Sequence, residues 1–140
     1  ASDVYKRQGT GRLVPTVSHL IDIMPTVLEV TGTTIPQTIG NATPLPRDGI
    51  SLARAFAGHD MAGHETLFFQ HNKGQALRHG EWKLVAVRQN KKPPLWELYH
   101  LSQDPTEQRD LADARPQKVR ELSAIWQAEF ARLTAQADMQ

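Results

Sequence analysis

Between residues 66 and 101 four short apolar runs follow one another with only turns between them. They read TLFFQH (66–71), GQALR (74–78), WKLVAVR (82–88) and LWELYHL (95–101). The intervening stretches are two, three and six residues long, too short to hold a crossover helix. Consecutive runs must therefore pair antiparallel, as a meander. Downstream, Val119, Leu122, Ile125, Trp126, Phe130 and Leu133 recur at helical spacing within residues 115–135, with Arg120, Glu121, Gln127, Glu129 and Arg132 opposite. An amphipathic helix needs an apolar surface to cover, and the meander offers one. The expected fold is α/β of the α+β kind: a sheet of about four antiparallel strands packed by a long C-terminal helix.

The first part of the chain reads differently. Residues 14–20 (VPTVSHL) are rich enough in β-branched side chains for a short strand. Asp22 then stands as a helix N-cap, Pro25 fits the first turn, and Ile23, Val27 and Val30 continue at helical spacing to Gly32. Capping accounts for Asp22 without a catalytic role. Residues 33–48 carry Pro36, Gly40, Pro44 and Pro46 and read as a surface loop. A short helix follows through Phe56 and stops at Gly58. His59, Asp60 and His64 lack the i, i+4 spacing of a helical zinc site, so a solvated linker is expected there.

Asp104, Pro105 and Glu107 have the N-cap, N1 and N3 pattern of an acidic capping box, which predicts a short helix before the long one. Trp82, Trp96, Tyr99 and Trp126 fall on the strands or the helix stripe and are assigned to core packing rather than ligand stacking. Lys83 alternates with Trp82 and Leu84 and is expected on the opposite sheet face. Arg88, Lys91 and Lys92, before Pro93 and Pro94, read as a basic hairpin tip that solubilises and blunts a strand edge.

Composition excludes several classes. A net charge of +1 gives no electrostatic reason for a nucleic-acid or membrane partner. No apolar run approaches the roughly 18–20 residues of a membrane span, and no signal-peptide pattern opens the sequence. Cysteine is absent, which removes disulfides and thiolate metal sites. The first eight residues, ASDVYKRQ, fit no periodicity and are set aside as a non-native or disordered leader.

One constellation invites chemistry. His71 ends a run, Lys73 sits in the turn and Arg78 ends the next run, so the three are expected to share a cationic rim suited to an oxyanion. A surface or core-edge histidine is the competing reading of His71. The order of motifs adds to this. HLIDIMPTVLEVTG, RDGISLARAFAG, and the succession of Arg78, Gly80, Trp82-Lys83-Leu84, Trp96-Glu97-Leu98-Tyr99 and Asp104-Pro105-Thr106-Glu107 together resemble the C-terminal end of the type I sulfatases.

That resemblance covers roughly residues 10–135, about the last quarter of a typical member. It implies a piece of an alkaline-phosphatase-like fold, with residues 9–58 as the tail of the catalytic domain and 59–140 as the C-terminal subdomain. It also implies hydrolysis of an aryl or carbohydrate sulfate ester by the whole enzyme, and a periplasmic or extracellular setting. In the family, Ca²⁺ and a formylglycine made within a C/S-x-P-x-R motif do the chemistry. No such motif occurs in this chain, so neither a catalytic residue nor a metal ligand is assigned here. His71, Lys73 and Arg78 are expected as substrate-binding residues, although Asn72-Lys73-Gly74-Gln75 stands where the family often has E-G-N-R. A phosphate or phosphonate monoesterase of the same superfamily, or a non-catalytic interaction domain, are the alternatives.

Overall fold

The computed structural model describes residues 13–41, 43–87 and 94–137. The chain divides into two units, residues 1–64 and 65–140, each described here by itself.

The second unit is the meander and its helix. Strands β1 (Thr66–His71), β2 (Gly74–His79), β3 (Trp82–Val87) and β4 (Leu95–His100) form one sheet in sequential order. All three pairings are antiparallel. Register places Phe68, Leu77, Leu84 and Leu98 side by side on one face. Helix α3 (Pro116–Ala137) lies across that face and adds Leu122 and Trp126. Leu77, Leu84, Leu98 and Leu122 are wholly buried, each contributing about 1.5–3 kcal/mol through apolar burial.

Trp126 organises the aromatic end of this core. It stacks on Phe68 at 5.3 Å and Phe130 at 5.2 Å, meets Trp96 edge-on at 5.9 Å, and donates its indole N–H to the Phe69 carbonyl at 3.4 Å. Trp82 and Trp96 are partly buried against the same cluster, as a packing role requires. The outer edge of β4 is occupied by residues 110–112. Asp110 accepts the Leu98 and Ala112 N–H groups at 2.9 Å each, and the Leu111 N–H returns to the Leu98 carbonyl at 2.8 Å.

One expectation fails beside that edge. Residues 101–110 form turns, not a short helix. Glu107 takes φ +56°, incompatible with a helical turn, and reaches across to the Lys83 ammonium instead of back to a cap. Asp104 accepts the Arg109 N–H at 2.8 Å, closing a turn; bonds from the Gln108 and Arg109 backbone hold its carboxyl below the usual range. Lys83 does lie on the face away from α3, but in an ion pair. The basic tip expected at Arg88, Lys91 and Lys92, and the leader at residues 1–8, lie outside the described residues.

The first unit contains a single 3-10 turn (Leu20–Asp22), α1 (Ile23–Thr31) and α2 (Ala53–Phe56) among its described residues. Helix α1 ends at Gly32, where the Gly32 and Thr33 N–H groups bond to the Glu29 and Leu28 carbonyls. The strand expected at residues 14–20 is absent. Residues 13–19 have no sheet partner, and Val17 offers its carbonyl to the His64 N–H at 3.0 Å as an isolated bond.

Helix α1 turns its apolar stripe outward. Ile23 is 57% exposed and Val27 51%, with Leu20, Met24 and Val30 also exposed. Leu20, Ile21, Ile23, Met24 and Pro25 line a groove of about 530 Å³ with Arg47, Asp48 and Gly49.

Candidate functional site

Two arrangements bear on function: a buried polar hub in the first unit and the β1–β2 tip in the second.

The hub is Asp22, whose side chain is fully buried. It stands at the N-cap position of α1 but makes no side-chain cap bond to that helix. One carboxylate oxygen accepts the His19 N–H at 2.7 Å, closing a capping box on the preceding 3-10 turn. The other accepts the Ile50 N–H at 2.8 Å and lies 2.7 Å from His64 Nε2. Thr26 extends the network, donating to the Asp22 carbonyl at 2.6 Å and accepting the Leu52 N–H at 2.9 Å.

Two glycines allow the loops to come this close. A Cβ on Gly49 would sit 2.2 Å from the Ile21 carbonyl oxygen, and one on Gly63 would sit 2.5 Å from that of Val17. Burial pushes the Asp22 carboxyl up, but hydrogen bonds from His19, Ile50 and His64 and the His64 charge outweigh it and leave it below the usual range.

The sequence reading of His64 as solvated linker is therefore wrong. Its side chain is 9% exposed and paired with the buried carboxylate. A histidine 42 positions from its partner gives no local signal of that pairing. His59 and Asp60 are exposed, and the described residues contain no group of three or more His, Cys, Asp or Glu able to hold a metal.

At the tip, His71 pairs with Gly74, leaving Asn72 and Lys73 as the turn. Asn72 takes φ +51°, a left-handed conformation that asparagine tolerates better than most residues. Gln70 Nε2 donates to the Asn72 carbonyl at 2.9 Å, and Asn72 Nδ2 lies 3.1 Å from His71 Nε2. His71, Asn72 and Lys73 are all exposed. The arrangement can present an imidazole and an ammonium to a ligand from a fixed turn.

Arg78 does not join them. Register pairs it with Leu67 and Lys83, four residues along β2 from Gly74, so it stands about 13 Å from the tip at strand rise. Its Nε–H donates to the Gly80 carbonyl at 3.3 Å. The expectation of one shared rim overlooked that the two ends of an antiparallel strand face opposite margins of the sheet.

Sequence reasoning also missed the polar group on the face away from α3. Tyr99 donates to Glu97 at 2.8 Å. That bond, burial and the negative charges of Glu97, Asp110 and Glu107 push its hydroxyl up to about 12.

No protein-family model matches the chain. It is 32% identical over 130 residues to an uncharacterized sulfatase of Schizosaccharomyces pombe, covering 85% of this chain and 23% of that protein. Arylsulfatase K of Xenopus laevis is 29% identical over 126 residues, covering 83% of this chain and 23% of its own. The chain thus spans about a quarter of the length of these curated relatives.

Among solved structures, a protein from work on glycosaminoglycan metabolism by Bacteroides thetaiotaomicron superposes with TM-score 0.56 at 25% identity, over 76% of this chain and 24% of that one. A second, held in complex with its substrate D-glucosamine-2-N,6-O-disulfate, superposes with TM-score 0.63 at 18% identity, over 89% and 26%. The chain thereby shares the fold of part of these solved structures.

Proposed function

We infer, from a chain that belongs to the sulfatase family and corresponds to its C-terminal part, that the whole protein hydrolyses sulfate monoesters of an aryl or carbohydrate alcohol. Within it, the β1–β2 tip borders the substrate. The observation that carries this reading is the exposed β1–β2 turn that carries both His71 and Lys73, its Asn72 carbonyl held by Gln70. A cationic, pre-shaped edge suits an anionic ester, because hydrogen bonds to an oxyanion are about twice as strong as neutral ones. The sulfated sugar held by a structural neighbour supports a carbohydrate sulfate as the ligand class. Arg78 enters as a separate contact at the other margin of the sheet.

Bond-making is assigned elsewhere. The formylglycine is assigned outside this stretch because the sequence has no cysteine and no C/S-x-P-x-R motif, and the Ca²⁺ of the family is assigned with it. The contribution of these residues is to bind and orient.

The reading is tested by assaying the whole protein against matched sulfate and phosphate monoesters of one aryl alcohol and one hexosamine. Preferential cleavage of the sulfates is expected. Turnover of the phosphates with the sulfates left intact would make the protein a phosphatase relative.

A further inference from the structure

We propose that Asn72 is a positioning residue that fixes His71 as an outward N–H donor at Nδ1, which makes the tip selective for an oxyanion acceptor. The inference rests on the substrate-edge reading above and adds the kind of group that edge accepts.

The amide nitrogen of Asn72 lies 3.1 Å from His71 Nε2. An amide NH₂ can only donate, so Nε2 must be the acceptor and the hydrogen of the neutral ring resides on Nδ1. This reverses the preference of a histidine in water, where the neutral ring carries its hydrogen mainly on Nε2. The geometry that imposes it is built in. The left-handed Asn72 backbone brings adjacent side chains together, and Gln70 holds the Asn72 carbonyl from the preceding strand.

Nδ1 has no protein partner among the described residues, and the ring is exposed. It therefore offers a donor to solvent or ligand at the same two-residue turn that carries Lys73. The imidazole N–H and the ammonium are both donors and fit sulfate or carboxylate oxygens, which have no hydrogen to give. The other tautomer would offer Nδ1 as an acceptor and favour a sugar hydroxyl. Asn72 thus sets the sign of the contact.

The test is nitrogen-15 NMR of the His71 ring in this chain at about pH 9, where an ordinary imidazole is neutral. In the wild type the unprotonated-nitrogen shift is expected on Nε2. In Asn72→Asp the new carboxylate can only accept, so the hydrogen moves to Nε2 and the signature transfers to Nδ1; aspartate tolerates the left-handed backbone as asparagine does. Asn72→Gly removes the lock and should return the ring to the mixture seen in water. A hydrogen on Nε2 in the wild type, or the same tautomer in all three chains, overturns the proposal.

Titration of the whole protein with N-acetylglucosamine 6-sulfate, with N-acetylglucosamine as the neutral control, separates the two readings. A shift of wild-type Nδ1–H with the sulfated sugar alone supports both. If the lock is present but neither sugar moves the ring, the substrate-edge reading fails and the tautomer assignment stands.

Discussion

Asp22→Ala should release the first unit while leaving the second folded. The carboxylate receives three hydrogen bonds, from the His19 and Ile50 N–H groups and the His64 ring. Bonds to a charged acceptor contribute roughly 1.5–3 kcal/mol each. Water entering the vacated space recovers part of that sum, and removing one member of a buried pair typically costs about 3–5 kcal/mol. Little apolar burial offsets the loss, since Ala55 is the buried apolar side chain among the unit's described residues. The stability of a whole domain is only about 5–15 kcal/mol. Hydrogen exchange should therefore accelerate by two to three orders of magnitude (about 1.4 kcal/mol per decade) at Ile50, Leu52 and His64. Residues 66–100 should keep their protection. Unchanged exchange at Ile50 and His64 would refute the hub.

The pH dependence of the same hub has a definite sign. The Asp22 carboxyl is depressed in the folded state, so its contribution is fully present above the ordinary carboxylate value of 3.8. It disappears only as pH falls through the lower folded value. Acid should open the first unit below that range, and a loss between pH 7 and 5 would have another origin.

Three further outcomes follow from packing and charge. Trp126→Ala should destabilise the second unit by about 3–5 kcal/mol in urea denaturation, having removed the ring between Phe68, Trp96 and Phe130. Tyr99 should ionise near 12, followed by tyrosinate absorbance; its contribution to stability holds below about 10 and is lost as pH rises to 12. Tyr99→Phe should remove that late step. The isolated chain should bind the apolar dye ANS through Ile23, Met24 and Val27, and Val27→Asp should reduce the signal several-fold; equal binding would place the exposed apolar surface elsewhere.

The second unit was readable because its signals are local. Lys83 between Trp82 and Leu84 marks the face away from α3, and turns of two or three residues leave antiparallel pairing as the sole option for the first three strands. The stripe Val119, Leu122 and Trp126 fixes the helix in the same way. What failed depended on distance. Residues 13–19 have strand composition but no ladder, and composition cannot supply a partner. Asp22 occupies the cap position foreseen for it, yet its side chain serves Ile50 and His64, 28 and 42 residues away. Asp104 and Glu107 matched a capping motif, but the Lys83 ammonium offered Glu107 a stronger partner than a backbone N–H. Of the site, His71 and Lys73 were found as neighbours, whereas Arg78 was separated from them by strand direction and Asn72 was passed over as a turn residue.

The most direct test of the substrate edge is kcat/KM of the whole protein with and without His71→Ala, measured on several sulfate esters. Loss of one charged or polar contact should lower kcat/KM by about 1–2 kcal/mol, roughly 5- to 30-fold, through KM or through altered preference among esters. Unchanged kinetic constants across the whole series would show that the tip does not meet the substrate.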